Sequence, residues 1–393
     1  MQKIEKYLAV FICIAVCVQR LSMAIGSICW GISIALSLYL LHYYYKNKQL
    51  KELAKNFKGY YIAFGIFAIC ILPSLYFSSD FKDGIKDYAE MCIYRMTPFF
   101  MVTLFIQNKT WLRNIFLVFL FAMGIDSVVA VGQLMLGYSS RGWGFGGNTL
   151  NLASLLCIVI PILLIIILDS HFSDRTKNIC KIILVLCIGG LLAGKSRGAW
   201  LTVAIVVPLV SGIYIIKSKK AIIVTLAVLV GLGTFFANSD TFKNRLVSTA
   251  NVTTDSSNVE RILIWKSCIR MIKDYPVLGV GLGEFKNFYD NGYQEAESKV
   301  SLVHAHNNIL QICVESGLVG LFGFLYLAFY IFVKNLIDWR KDKNPYSLMI
   351  WGAWLAFMSF GMFDLTMHHS AVTKAMWFLF GCILVFKNRR IYI

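Results

Sequence analysis

Apolar runs of membrane-spanning length follow one another along most of this 393-residue chain, separated by short turns that are often basic. A helix that crosses the hydrocarbon core of a bilayer needs about 20 predominantly apolar residues. About twelve segments meet that requirement, at 5–19, 22–45, 60–77, 84–106, 112–136, 148–168, 178–194, 198–216, 221–237, 304–333, 345–363 and 371–387. The pattern therefore predicts an all-α polytopic membrane protein with about twelve transmembrane helices.

One long interval, residues 238–303, contains no apolar run of this kind. It separates nine predicted helices in residues 1–237 from three in residues 304–393. Short amphipathic stretches within it predict a large extramembrane loop that carries short helices. No repeat of fixed period and no low-complexity linker divides the chain, so we expect one integrated membrane domain.

Composition and charge agree with the membrane class and give the chain an orientation. Hydrophobic residues make up 58% of the sequence, mean hydropathy is +0.66 and the net charge is +17. The basic residues concentrate in alternate loops and at both termini, as cytoplasmic loops of membrane proteins do. This distribution explains the charge without a nucleic-acid partner. It predicts a multi-pass membrane protein with cytoplasmic termini and a 238–303 loop on the outer side.

One motif is misleading. The segment 189–196 matches the GxxxxGK[ST] pattern of phosphate-binding loops. Such a loop binds nucleotide only between a strand and a helix of a soluble sheet. Here the glycines end a predicted transmembrane helix and Lys195 lies on the outer face. We therefore do not expect nucleotide binding.

Three arginines are candidates for binding an anion near the outer face. Arg197 begins a predicted span, where it could either extend to the interface or bind phosphate. Arg261 lies in a loop helix that residues 257–260 are predicted to open as a capping box. It shares the Trp265 side of that helix and could pair with an acid or face an anion. Arg141 lies in another outer loop, whereas Arg95 is expected to form a buried ion pair with Glu90 or Asp87.

The segment His304-Ala305-His306-Asn307-Asn308 carries the strongest chemical signal. If it opens the tenth span, His304, Asn308, Gln311 and Glu315 share one helix face, and polar faces within spans are functional candidates. The two histidines would then point about 200° apart, which disfavours one shared metal ion unless the 364–369 turn supplies ligands. A histidine general base is the favoured interpretation, with packing and metal binding as alternatives.

Several motifs together resemble one known family. They are S-R-G-A-W at 196–200, N-x-E-R-x-x-x-W at 258–265, H-A-H-N at 304–307 and E-S-G-L-V-G-L at 315–321. In order and spacing they are similar to the O-antigen ligase/polymerase family. The resemblance implies an inverting glycosyltransferase that takes a glycan from undecaprenyl diphosphate at the periplasmic face of the bacterial inner membrane, which makes the 238–303 loop periplasmic. Ligases of this family, which serve lipopolysaccharide biosynthesis, transfer it to a lipid A-core sugar, and polymerases to another polysaccharide repeat.

The resemblance also implies roles for particular residues. His306 is the expected catalytic base, and Arg197, Arg261 and Arg141 the expected diphosphate ligands. His304, Asn307 and Glu315 are expected to support them, without a metal or other cofactor. We favour a ligase because the outer loop is modest and the motif set compact. A polymerase of the same family is the alternative, and a non-enzymatic transporter of lipid-linked glycans is the third hypothesis.

Overall fold

The computed structural model describes residues 1–215 and 256–391, and these two parts consist of helices joined by turns. Eight helical stretches in these parts are long and apolar enough to cross a membrane, and one of them, Lys58–Phe77, ends in a 3₁₀ turn from Leu72 to Phe77. The α-helices of the described parts are α1 (Gln2–Val18), α2 (Met23–Lys46), α3 (Leu50–Lys55), α4 (Lys58–Ile71), α5 (Phe81–Tyr88), α6 (Thr97–Phe105), α7 (Lys109–Met135), α8 (Thr149–Leu168), α9 (Asp174–Ala193), α10 (Arg197–Ile215), α11 (Ser256–Asp274), α12 (Phe285–Phe288), α13 (Asn308–Asp342), α14 (Pro345–Phe360) and α15 (Ser370–Arg389).

Four of the twelve predicted spans are not among these eight helices. The predicted span 221–237 lies outside the described residues. Helices α1 and α14 are only 17 and 16 residues long. The predicted span 84–106 is not one regular helix, because a π-helical turn (Ala89–Ile93) and a 3₁₀ turn (Tyr94–Met96) separate α5 from α6. The membrane class is confirmed, while the number of spans stays a prediction.

Helix α8 forms the centre of the bundle. Its sequence is apolar on every side, and a helix without a polar face is stable only when it is surrounded. It packs against α9, α10, α14 and α15. The residues from Leu152 to Ile167 are all buried. The core therefore surrounds α8 and leaves the ends of the neighbouring helices to carry polar groups.

The segment 276–280, which follows α11, contacts α13 at a kink. Gly317 has φ +61° inside this helix, and a Cβ there would come within 2.2 Å of the Val277 carbonyl oxygen. Only glycine accepts this combination of backbone conformation and close approach. The freed backbone groups are satisfied across the junction, since Val280 N–H donates to the Val314 carbonyl and Leu318 N–H to the Pro276 carbonyl, both at 2.8 Å.

Two local expectations for the outer layer are wrong. Residues 257–260 do not form a capping box: Ser257 lies inside α11, and the Glu260 carboxylate accepts hydrogen bonds from Ser298 Oγ and Lys299 N–H instead. The helix predicted for residues 304–333 is α13, and it begins at Asn308 and not at His304. The reason is local, because Asn307 caps the helix with its side-chain oxygen, which accepts from Ile309 N–H at 2.9 Å.

The two ends of the bundle differ in character. The starts of α8, α10, α13 and α15 meet at one end, together with the ends of α9 and α14. At the other end, Arg389 donates to the Gln107 carbonyl at 3.0 Å, and Glu5 accepts from Gln107 N–H at 2.5 Å. The two ends of the described chain therefore lie on the same side, opposite the 304–308 segment.

This arrangement predicts the orientation in the membrane. A phosphatase reporter inserted after Glu297 should be active, because that exposed loop belongs to the end predicted to face the periplasm. The same reporter inserted after Ser173, in the short α8–α9 turn, should be inactive. Activity in intact cells checks both positions, and an active reporter at Ser173 would reverse the orientation and place the arginines in the cytoplasm.

Candidate active site

Arg141, Arg197, Arg261 and His306 line one cavity of about 280 Å³, although they come from four separate segments. We call this cavity the arginine pocket. The other residues around it are Leu150, Lys195, Ser196, Gly198, Ser257, Glu260, Leu302, Phe360 and Phe363. Three guanidinium groups near one cavity favour a ligand with several anionic oxygens, since the planar fork binds such oxygens in pairs.

Arg197 is the first residue of α10, immediately after a tight turn at Gly194–Ser196. Lys195 in that turn has a left-handed backbone with φ +49°. The start of a helix carries unpaired N–H groups and a partial positive charge, which add to the attraction of an anion. The turn that matches the phosphate-loop pattern therefore lines the arginine pocket. It lies between helices α9 and α10, and not between a strand and a helix.

Arg141 is held by a loop with many backbone hydrogen bonds. Its Nε donates to the Gly194 carbonyl at 3.0 Å, and Gly142 N–H donates to the Ala193 carbonyl at 2.8 Å. The Gln133 side chain accepts from Trp143 N–H at 2.9 Å. Beneath the loop, a buried ion pair joins Arg20 and Asp126.

That ion pair holds the loop directly. Arg20 also donates to the Trp143 carbonyl at 2.7 Å, and Asp126 accepts from Phe145 N–H at 2.8 Å. Gly144, with φ +66°, lies so close to Asp126 that a Cβ would overlap its Oδ1 at 1.8 Å. The turn after α1 and helix α7 thus position Arg141 through this loop.

Arg261 lies between the arginine pocket and a smaller cavity of about 190 Å³, the apolar pocket. The two cavities share Arg197, Gly198, Arg261 and Phe363. The remaining lining of the apolar pocket is Leu201, Asn258, Ile262 and Trp265. Trp265 Nε1 donates to the Ala305 carbonyl at 3.0 Å, which fixes α11 against the histidine segment.

The two histidines belong to a loop and not to a helix face. His306 has φ +50°, and the imidazole centroids of His304 and His306 are 4.2 Å apart. The expectation that they point in opposite directions is therefore wrong, because it assumed a helix that starts four residues too early. Asn307 acts as the helix cap and donates to the Met362 carbonyl at 3.3 Å.

Asp364 is the acidic partner of this cluster. It is 1% exposed, with Oδ1 3.6 Å from His306 Nδ1 and Oδ2 3.5 Å from His369 Nε2. Burial raises its pKa, but His306 and His369 outweigh burial and the pKa lies below the usual range. Burial, together with His306, lowers the pKa of His304 to about 4. The cluster therefore combines a carboxylate with a neutral His304 at pH 7.

The cluster also has the composition of a metal site. Ligand atoms of His304, His306 and Asp364 all lie within 4.8 Å of one another. Tetrahedral zinc with ligands near 2 Å would need these atoms roughly 3.3 Å apart, so modest side-chain movement would suffice. The geometric argument against a shared metal ion fails here, and metal independence stays a prediction.

Glu315 does not line the arginine pocket. It borders a separate cavity of about 260 Å³ together with His304, Gln311, His368, Asp87, Met91, Arg95, Leu282, Gly283, Val303 and Leu365. Arg95 donates to Glu90 at 2.8 Å, which confirms the expected ion pair. His304 and Glu315 thus border this second cavity, while His306 borders the first.

From the sequence, the 364–369 turn was a possible source of metal ligands and His368 a reserve candidate for the base. Nothing in the residue pattern indicated that Asp364 would lie beside His306, 58 positions earlier in the chain. The available signal was the concentration of polar residues in the turn after an apolar span, which is a functional candidate on physical grounds.

The comparisons with known proteins fit this geometry. Residues 182–325, which include Arg197, Arg261 and His306, match the model of the O-antigen ligase family. This part of the chain is therefore similar to the O-antigen ligase family. Over 256 residues it is 28% identical to a putative polysaccharide ligase of Rickettsia typhi, which covers 61% of this chain and 59% of that protein.

Two other relatives of the chain are informative. A putative polysaccharide ligase of Rickettsia felis is 25% identical over 249 residues, covering 60% of this chain and 58% of the relative. The exopolysaccharide production protein ExoQ of Rhizobium meliloti is 27% identical over 150 residues, covering 35% and 33%. The chain thus spans between one third and three fifths of these relatives' length.

The loop that positions Arg141 leads to a testable prediction. Asp126→Ala leaves Arg20 buried without its partner, a change that typically costs about 3–5 kcal/mol. We expect a lower melting temperature in detergent and faster tryptic cleavage after Arg141. Lys286→Ala is the matched control, because it removes an exposed ion pair with Asp290 worth about 1 kcal/mol or less. Equal effects of the two variants would contradict the assignment of this pair.

Proposed function

We propose that this protein is an inverting glycosyltransferase that moves a glycan from undecaprenyl diphosphate to an acceptor sugar at the periplasmic face. The observation that carries the proposal is the arginine pocket, where three arginines from separate segments meet His306. The family assignment supports an enzyme that handles polysaccharide. The pocket supplies the two functions that such a transfer needs, anion stabilisation and a base.

The donor's diphosphate binds in the arginine pocket in this proposal. Arg141, Arg197 and Arg261 stabilise the negative charge that develops on the leaving group, a role that a metal ion fills in other transferases. The polyprenyl chain leaves through the adjoining apolar pocket past Leu201 and Ile262. Membrane lipid surrounds that exit, because α10 is one of the apolar membrane helices.

His306 is the proposed base. Its Nδ1 faces Asp364, which leaves Nε2 to take the proton from the acceptor hydroxyl. The hydroxyl oxygen then attacks the anomeric carbon of the donor sugar, and the bond from that carbon to the phosphate oxygen breaks. Undecaprenyl diphosphate leaves with the electron pair, and configuration at the anomeric carbon inverts. Asp364 stabilises the imidazolium that forms, and the step uses no metal.

The proposed acceptor is a sugar of the lipid A core, as in a ligase. The Rickettsia relatives carry the name polysaccharide ligase, which favours this acceptor. The second candidate is a polymerase that transfers the glycan to another repeat unit, which the name of ExoQ, an exopolysaccharide production protein, favours. The glycan profile of a deletion strain separates them: a ligase mutant retains carrier-linked polymer, and a polymerase mutant shows a core with a single repeat.

The arginine assignment predicts specific losses. Arg197→Ala and Arg261→Ala should each lower kcat/KM by about 10–100-fold, since a hydrogen bond to a charged group contributes about 1.5–3 kcal/mol. Lysine at either position should restore activity only in part, because it keeps the charge without the planar fork. The measurement is transfer by purified protein with lipid-linked donor. Arg175→Ala, an exposed arginine in the opposite end of the bundle, is the control. Wild-type rates in both alanine variants would remove these arginines from the site.

The base assignment predicts that His306→Ala loses about 10²–10⁴-fold in turnover while donor binding survives. His304→Ala should lose less, because its imidazole borders the other cavity. Activity of the parent protein should persist in EDTA. If EDTA abolished transfer and zinc restored it, the His304, His306 and Asp364 cluster would instead be a metal site. Near-normal turnover of His306→Ala would leave His304 or His368 as the base.

A further inference from the structure

The cavity that borders Glu315 has no part in donor binding as proposed, yet it is built from buried polar side chains. Gln311, Glu315 and Arg95 line it and are 2%, 4% and 7% exposed. Within the described residues, Arg95 Nε and His368 Nδ1 are buried without a hydrogen-bond partner. Buried polar atoms without partners are unfavourable unless a ligand or water satisfies them. We call this cavity the polar pocket.

The polar pocket and the arginine pocket meet at the histidine pair. His304 lines the first, His306 lines the second, and their imidazole centroids are 4.2 Å apart. A group bound in the polar pocket can therefore reach a base that also faces the donor. A transferase for two glycans needs this juxtaposition, because both reacting atoms must lie within about 3–3.5 Å of each other.

The polar pocket adjoins a wide groove of about 710 Å³, the outer groove, and Asp87, Leu282 and Gly283 line both. Five carboxylates line this groove and only two ammonium groups. They are those of Asp80, Asp83, Asp87, Glu284 and Asp290, against Lys86 and Lys286. The groove thus has the volume for more than one sugar residue and disfavours anionic ones, in contrast to the arginine pocket.

We infer that the polar pocket is the subsite for the acceptor sugar and that this sugar, with its neighbours in the outer groove, is uncharged or carries an amine. The inference rests on the proposed function. Sugar hydroxyls both donate and accept, which matches the mixed set of Glu315, Gln311, Arg95 and His368. Phosphate- or carboxylate-bearing sugars would meet the carboxylates of the groove, and such like-charge contacts are unfavourable.

His368 provides the sharpest test. It lies in the 361–369 turn, with Nε2 4.0 Å from Glu315 and Nδ1 unsatisfied. Burial, together with Arg95, lowers its pKa to about 3, so the imidazole is neutral at pH 7. A neutral imidazole can donate to one hydroxyl and accept from another. Its loss should weaken acceptor binding without removing the base or the diphosphate ligands.

The experiment compares kinetic constants of the purified full-length protein, using lipid-linked donor and acceptor glycolipid extracted from a strain that lacks this gene. His368→Ala should raise the acceptor KM at least about tenfold, the equivalent of one hydrogen bond of about 1.4 kcal/mol. The donor KM should stay within about twofold of the parent. His368→Gln should restore part of the acceptor affinity, because its amide also donates and accepts. His171→Ala, at the opposite end of α8, is the matched control and should change neither constant.

The outcomes separate the two levels of the inference. If the parent protein transfers glycan while His368→Ala keeps the parent's acceptor KM, the acceptor subsite is wrong and the transferase proposal stands. A rise in donor KM instead of acceptor KM also overturns the subsite. If the parent protein transfers nothing from the lipid-linked donor, the transferase proposal itself fails.

The charge preference has its own test. Oxidation of the primary hydroxyls of the extracted acceptor to carboxylates should lower kcat/KM at least about tenfold for the parent protein. Asp83→Lys, in the exposed part of the groove, should recover part of that loss because it replaces a repulsive charge with an attractive one. Glu297→Lys, an exposed residue outside the groove, is the control for net charge. Equal use of both acceptors by the parent, or no recovery by Asp83→Lys beyond the control, would overturn the preference.

Discussion

The end of the bundle that carries the candidate site depends on the hydrogen bonds of one asparagine. Asn308 Oδ1 accepts from Met367 N–H at 3.2 Å and its Nδ2 donates to Thr366 Oγ1 at 2.7 Å, while its own N–H donates to the Gly361 carbonyl at 2.8 Å. These bonds tie the start of α13 to the turn between α14 and α15. Gly361 has no room for a Cβ, which would come within 2.2 Å of Asn308 Nδ2. The contact brings Asp364 beside His306 and His368 beside Glu315.

The site is placed where helices end and not where they cross the core. Irregular backbone at membrane depth is tolerated only where its polar groups are satisfied internally or by a water-filled cavity. The break between α5 and α6 and the kink at Gly317 both meet this condition. Arg95, just before α6, donates to the Met367 carbonyl at 2.9 Å and to Glu90. A rigid bundle around α8 thus supports a polar end in which side chains from distant segments keep a fixed geometry.

The two cavities beside the histidine pair have opposite electrostatic character. Arginines line the first and carboxylates predominate in the groove leading to the second. In the proposed reaction this separates the anionic donor from the acceptor and directs each to its own side of His306. Electrostatic complementarity between a site and its ligand contributes more to the selection of the ligand than to the strength of binding.

Sequence alone determined the membrane class, most of the long apolar helices and an ion pair of Arg95, and it indicated a resemblance to one family. These follow from hydropathy over about 20 residues, from short spacings and from local motifs. It also selected Arg141, Arg197, Arg261 and His306 as candidates, because they lie in loops or at the ends of spans near the motifs that carry the resemblance. Their meeting in one pocket could not be read from the sequence, since contacts across more than 100 positions depend on how the helices pack.

Only the tertiary structure decided the geometry of the histidines. The helix period predicted two imidazoles on opposite sides, but the Asn307 cap delays the helix and a left-handed backbone at His306 turns the rings together. Asp364 reaches them because of the Asn308 contact, which no local pattern encodes. The assignment of His304 and Glu315 to a second cavity has the same origin. Local energetics fix where a helix can start, whereas the packing of distant segments fixes what its first residues contact.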